Sequence, residues 1–194
     1  TPVLYDFSVP APEGEPVEMS WFEDAVFLGD SRTDGLRLYS GIKGADFLCY
    51  KGITVFDVVD RPDKKVITID GTQYTILEAL GREQYAKVYI SLGINELGYF
   101  NDQAFEDTFC ELVDLVRELQ PDAVIYLQNL PPVNPEKCKA YNQPYYVNNE
   151  KVAVYNEILG RVAAAKKVVL VDVASALSGS DGTLPADGTS DGVH

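Results

Sequence analysis

The chain has one histidine, one tryptophan, one methionine and three cysteines among 194 residues. A single histidine argues against any centre that needs paired imidazoles, and the cysteine spacing matches no zinc motif. With three thiols, at least one is free or pairs between chains. Cys49 sits in the apolar run Phe47–Tyr50 and Cys110 borders a helical apolar face, so both read as core; Cys138 falls in a predicted loop. Basic residues are scarce, with 16 Lys and Arg against 30 Asp and Glu, a net charge of −14. Such a surface repels phosphate backbones and anionic lipid, which argues against nucleic acid and membranes as partners. No apolar run approaches the roughly 20 residues that cross a bilayer, and no signal-peptide pattern is visible.

What is present suits one globular domain: 46% of residues are hydrophobic. Residues 1–20 hold Pro2, Pro10, Pro12 and Pro16 beside Glu13, Glu15 and Glu18, and read as an arm or linker ahead of a domain at 21–194. This proline-rich start without methionine suggests an exported, extracellular or cell-surface bacterial protein cut from an anchor; a cytoplasmic one is the alternative.

Strand-like runs alternate with helical patterns. Strands are expected at 25–29, 46–50, 65–69 with a turn at Gly71, 87–92, 123–127 and 168–173. Helical patterns cover 33–39 and 75–80. The clearest helix carries Phe105, Phe109, Leu112, Val113, Val116 and Leu119 at three- and four-residue steps, with acids opposite. Asn101 or Asp102 would cap it and Pro121 follows it. A second amphipathic helix carries Val152, Tyr155, Ile158, Leu159 and Val162. Residues 131–149 read as a Pro- and Asn-rich insertion, and the last twenty as loop. This alternation implies a parallel sheet covered by helices on both faces, with sites at the carboxyl ends of its strands.

Chemistry-bearing residues fall at those ends. Ser31, in Gly29-Asp30-Ser31, follows the first strand, where a turn into a helix aims backbone N–H groups at a developing oxyanion. A serine nucleophile needs a base, and His194 is the one histidine available. Asp191, three residues earlier, could orient it. Gly52 follows the second strand and could offer a backbone N–H. Asn95, in Gly93-Ile94-Asn95-Glu96, could donate its amide, although an Asx turn is an equal use. Asn129 follows a further strand. Each signal alone is weak, and Gly-x-Ser-x-Gly is absent, so the nucleophile elbow of the α/β-hydrolases is not supported.

In order and on one edge, these blocks resemble the SGNH, or GDSL-type, hydrolase family over residues 25–194. The serine of its first block matches Ser31, the glycine of its second Gly52, the asparagine of its third Asn95, and its Asp-x-x-His matches Asp191 to His194. The resemblance implies a three-layer α/β/α flavodoxin-like fold around a central parallel sheet. It implies ester hydrolysis with no metal or cofactor: Ser31 as nucleophile, His194 as base, Asp191 orienting it, and Ser31 N–H, Gly52 N–H and the Asn95 amide as oxyanion hole. Glu96 stands where the third block often has aspartate, with little effect expected. The resemblance also implies a final helix after His194, so the 21–194 domain reads as lacking its C-terminal helix.

The expected substrate is a small-molecule or glycan ester with a short acyl group, acetyl on a carbohydrate being favoured because no hydrophobic lid is evident. Arg32 is expected to contact substrate or pair with an acid. Tyr99, Phe100, Tyr141, Tyr145 and Tyr146 lie in loops where rings can stack on sugars, with Tyr99 and Tyr145 as candidate contacts. Alternatives are an O-acetyltransferase, a lipase or thioesterase, and a non-catalytic glycan-binding module. A calcium loop near Asp181 and Asp187 lacks the oxygen density such a site needs.

Overall fold

The computed structural model describes residues 5–194. Residues 1–4 of the expected arm, including Pro2, lie outside the described residues. Residues 5–18 form no helix or strand; the Ala11 N–H donates to the Leu170 carbonyl at 2.8 Å, laying this segment along an edge of the sheet. A 3₁₀ turn at Met19–Phe22 leads into the first strand.

In chain order the elements are β1 (Ala25–Gly29), α1 (Ser31–Tyr39), β2 (Asp46–Cys49), α2 (Val55–Asp60), β3 (Ile67–Ile69), β4 (Thr72–Tyr74) and α3 (Ile76–Leu80). Then come β5 (Lys87–Ser91), α4 (Asp102–Leu119), β6 (Val124–Gln128), α5 (Pro135–Ala140), α6 (Asn149–Lys166), β7 (Val169–Val171) and α7 (Val173–Leu177). Five strands form a parallel sheet in the order β2-β1-β5-β6-β7. This is the flavodoxin-like order, in which the chain leaves β1 in one direction and returns to its other side at β5. The reversal opens a crevice at the carboxyl ends of β1 and β5.

Strand alternation divides the core in two. Val26, Leu28, Val88, Ile90, Ile125, Leu127 and Leu170 face the larger cluster, covered by α4 and α6. α4 contributes the five buried residues Phe105, Phe109, Leu112, Val113 and Val116. At about 1.5–3 kcal/mol each, packing and not propensity holds it in place. The other face carries a row of stacked rings, Phe47–Phe27–Tyr89–Tyr126, with centroids 4.6–4.9 Å apart across β2, β1, β5 and β6. Phe22 and Leu36 pack against that row.

Four elements differ from expectation, the first being α7, a short helix at Val173–Leu177 where the end of a strand and a loop were expected. The segment around 65–74 is a β3–β4 hairpin turning at Asp70 and Gly71, both at positive φ, not one strand and a turn. α2 was not expected, although its capping box of Thr54 and Asp57 is a local signal. α5 lies inside the expected insertion, begun by Asn134 and Pro135, and it buries Cys138, which therefore is not in a loop. All three thiols are unpaired, and burial pushes Cys49 up to about 11, an unreactive state. Cys49 and Cys110 are half-buried. No helix among the described residues is long and apolar enough to cross a membrane.

Candidate active site

β1 ends at Gly29, and α1 begins at Ser31 with no spacer except Asp30. That connection needs glycine: a Cβ at position 29 would lie 2.0 Å from Thr33 Oγ1 and 2.6 Å from the Ser91 carbonyl. Asp30 caps the helix, its Oδ1 accepting from the Arg32 N–H at 2.8 Å. Its carboxyl is buried, which raises it above the ordinary aspartate range. Ser31 is the first helical residue, so its N–H has no intrahelical acceptor.

The structure brings His194 to this serine across 163 residues of chain. Ser31 Oγ and His194 Nε2 are 2.8 Å apart, and His194 Nδ1 and Asp191 Oδ2 are 2.9 Å apart. An aspartate on Nδ1 fixes the proton there and leaves Nε2 as the acceptor for the serine hydroxyl. Asp191 also folds its own loop: Oδ1 accepts from the N–H groups of Val193 (2.9 Å) and His194 (2.8 Å). Partial burial opposes the charge, but the bonds from the His194 ring and the two backbone N–H groups outweigh it and hold Asp191 down at about 2. Asp191 is therefore ionised at neutral pH.

Further residues hold this loop. Gly192 has φ +95°, and a Cβ there would meet Cys138 N at 2.5 Å and Asn134 O at 2.9 Å, so only glycine passes against α5. The Asn134 N–H donates to the Gly192 carbonyl at 2.9 Å, and the Gly192 N–H donates to Thr189 Oγ1 at 2.9 Å. Gln143 Nε2 lies 3.3 Å from Asp191 Oδ2. Nothing in the sequence marked Gln143, because only the tertiary fold brings the insertion against the last loop.

Arg32 pairs with no acid among the described residues, against one expectation, and it borders a groove beside Ser31. Its guanidinium turns inward: Nε donates to the Val193 carbonyl at 3.0 Å and Nη1 to the Pro131 carbonyl at 3.2 Å. Nη2 is buried without a partner, and no carboxylate pairs with it. The side chain ties the helix that carries Ser31 to the loop that carries His194.

Gly52 lies in the turn after β2 at φ +77°, and among the described residues no acceptor meets its N–H. Asn95 stands in a 3₁₀ turn after β5 and donates Nδ2 to the Ile53 carbonyl at 2.9 Å. One Nδ2 hydrogen remains free. Asn129 is a structural link, bonding Asp172 Oδ1 and the Ala174 N–H, each at 2.8 Å. Tyr99 is 54% exposed and stacks on Phe56 at 4.8 Å. Tyr145 is 80% exposed and sits 6.4 Å from Phe100.

A groove of about 800 Å³ starts at Ser31 and His194 and runs between α1 and α7, lined by Leu36, Leu38, Val173, Leu177 and Leu184 among others. Gly52, Asn95, Tyr99 and Tyr145 are not in its lining. Among the described residues no cluster of three His, Cys, Asp or Glu side chains has the geometry of a metal site.

Comparison with known proteins gives a family and a fold. The sequence profile of the GDSL-like lipase/acylhydrolase family matches residues 27–194. No curated protein matches in sequence. Among solved structures, one from Streptococcus pneumoniae, provisionally described as a platelet activating factor, superposes with a TM-score of 0.68 at 20% identity, covering 91% of this chain and 82% of the other. A GDSL-like lipase of Bacteroides thetaiotaomicron gives 0.63 at 19% identity over 94% and 83%. An acetyl xylan esterase gives 0.56 at 14% identity over 88% and 90%. At these identities the likeness is one of fold.

Proposed function

The chain belongs to the GDSL-like lipase/acylhydrolase family and is an SGNH-type ester hydrolase, and we propose that Ser31, His194 and Asp191 carry its chemistry. Ser31 Oγ bonds to the ester carbonyl carbon as its proton moves to His194 Nε2. The resulting oxyanion is met by the N–H groups of Ser31 and Gly52 and by the free Nδ2 hydrogen of Asn95. Collapse breaks the ester C–O bond, and the alcohol leaves with the proton from His194. Water then repeats the sequence on the acyl-serine, releasing the acid and restoring the hydroxyl. The observation that carries this reading is the chain of two hydrogen bonds, 2.8 and 2.9 Å, from Ser31 through His194 to Asp191.

The substrate we propose is a short acyl ester, acetyl in the first place, on a carbohydrate. The Phe56–Tyr99 stack in support of it joins α2, just after the Gly52 turn, to the loop after Asn95. Its exposed ring is flat and apolar, as sugar stacking requires. An acetyl xylan esterase shares the fold. A glycan substrate goes with action outside the cell or at its surface. Tyr99→Ala and Tyr145→Ala should raise KM for an acetylated oligosaccharide and leave a small acetyl ester unaffected.

The deciding experiment measures acetate release from a small acetyl ester by the protein and by Ser31→Ala. Loss on the order of 10⁶-fold in the variant is expected. Equal rates would remove Ser31 from the mechanism, and no turnover in either would favour a transferase or a binding module. A second reading, a longer acyl chain, has the apolar groove beside Ser31 in its favour. A series of 4-nitrophenyl esters from acetyl to octanoyl separates the two by the chain length that gives the highest kcat/KM.

A further inference from the structure

Glu96, next to Asn95, was expected to matter little. It is fully buried, and its surroundings are otherwise core. Its Oε1 accepts from the Val55 N–H at 2.6 Å, while Asn95 Nδ2 reaches the Ile53 carbonyl at 2.9 Å. Two adjacent residues of one loop thus grip residues 53 and 55 of the other, immediately beyond Gly52. The grip is anchored from behind, since Tyr155 on α6 donates its hydroxyl to the Glu96 carbonyl at 2.8 Å. Thr54 and Asp57 cap each other's backbone N–H groups, and the buried Val55 N–H left over at the first helical position is met by Glu96 from the other loop. Among the described residues Glu96 Oε2 is buried with no partner, a cost that the Val55 bond offsets.

We propose that Glu96 is a positioning residue for the oxyanion donors, its carboxyl holding the turn that carries Gly52 in register with the loop that carries Asn95. This rests on the esterase reading above. The groups facing Glu96 are Asp30 before the nucleophile, Asp57 on α2 and the Tyr155 hydroxyl on α6; none is basic. Burial, which the Val55 bond offsets only in part, pushes Glu96 up to about 8, and the Asp30 charge adds to the rise. The carboxyl is therefore protonated at neutral pH. A folded pKa above the ordinary 4.5 means that the unfolded chain gives up this proton first, so the contribution to stability declines as pH rises from 4.5 toward 8. Above about 8 the folded protein carries an ion with a single donor beside two acids. That ion accepts the Val55 N–H more strongly than the neutral acid does, because the bond becomes charge-assisted.

The test compares wild type, Glu96→Gln and Glu96→Ala by two readouts. The first is kcat and KM for 4-nitrophenyl acetate between pH 6 and 9.5. The second is hydrogen exchange of the Val55 amide over the same range. Wild-type kcat should not fall above about pH 8, and Val55 should gain protection as Glu96 ionises. Glu96→Gln keeps a carbonyl acceptor but does not titrate, so it should retain kcat at pH 7 and lose the alkaline gain in Val55 protection. Glu96→Ala should lower kcat about 10- to 100-fold, as a displacement of about 1 Å at a reacting centre does, and expose Val55 to exchange at every pH. A loss of Val55 protection in wild type above about pH 8, or a protected Val55 in Glu96→Ala, overturns the proposal. Should Glu96→Ala fail to fold, the Glu96→Gln profile decides. The exchange readout needs no turnover, so failure of the esterase reading and failure of this one are separable.

Discussion

Arg32 Nε donates to the Val193 carbonyl at 3.0 Å, so the residue after Ser31 holds the residue before His194. The first and last motifs of the chain are thereby joined by a buried bond as well as by the Ser31–His194 contact. Replacing Arg32 by Met should lower kcat about 10- to 100-fold through misplacement of the imidazole, with little change in KM. Steady-state kinetics on a small ester checks this; a rise in KM alone would return Arg32 to a substrate contact.

Asp191→Asn should cost more. An amide that can donate toward Nδ1 favours the wrong tautomer, and loss on the order of 10⁴-fold in kcat is expected, as for the equivalent change in a serine protease triad. Stability gives a second signature. Asp191 lies at about 2 in the folded protein against an ordinary 3.8, so its contribution is complete above 3.8 and is lost as pH falls toward 2. Thermal unfolding between pH 5 and 2 should therefore show wild type losing its advantage over Asp191→Asn in that window.

Asn95→Ala removes both the bond to Ile53 and the free amide hydrogen. Turnover should fall about 100- to 1000-fold, the cost of one oxyanion donor. A wild-type rate would exclude Asn95 from the oxyanion hole.

Gly192→Ala places a methyl 2.5 Å from Cys138 N at a backbone φ of +95°. Strain and overpacking together should destabilise the protein by about 1–3 kcal/mol and reduce activity by moving His194. Chemical denaturation and the rate measured on the same preparation report the two effects separately.

Much of the fold is legible in local pattern. β1 and β5 are continuous apolar runs because both faces of a central parallel strand are covered, and α4 repeats its apolar residues at helical spacing because one face is buried. α2, α5 and α7 were missed because five or six residues are too few to show a helical period. The signals α2 and α5 do carry are caps: Thr54 with Asp57, and Asn134 ahead of Pro135.

The site divides in the same way. Ser31, Asn95, Asp191 and His194 stood out in the sequence as candidates because the proposed chemistry restricts the residue type and the strand ends restrict the place. Gly52 rested on its position after a strand, and the structure gives it a positive φ and an N–H that meets no acceptor among the described residues. Roles that depend on direction were not legible. Arg32 could point to solvent or inward, and only packing against Val193 and Pro131 decided it. Gln143 and Glu96 act through contacts made by chain segments 48 and 41 residues away. Sequence periodicity determined the layers and the edge where the chemistry gathers, because burial repeats with the geometry of each element. Tertiary structure alone decided which side chains hold that chemistry in register, because hydrogen bonds between distant loops leave no period in the sequence.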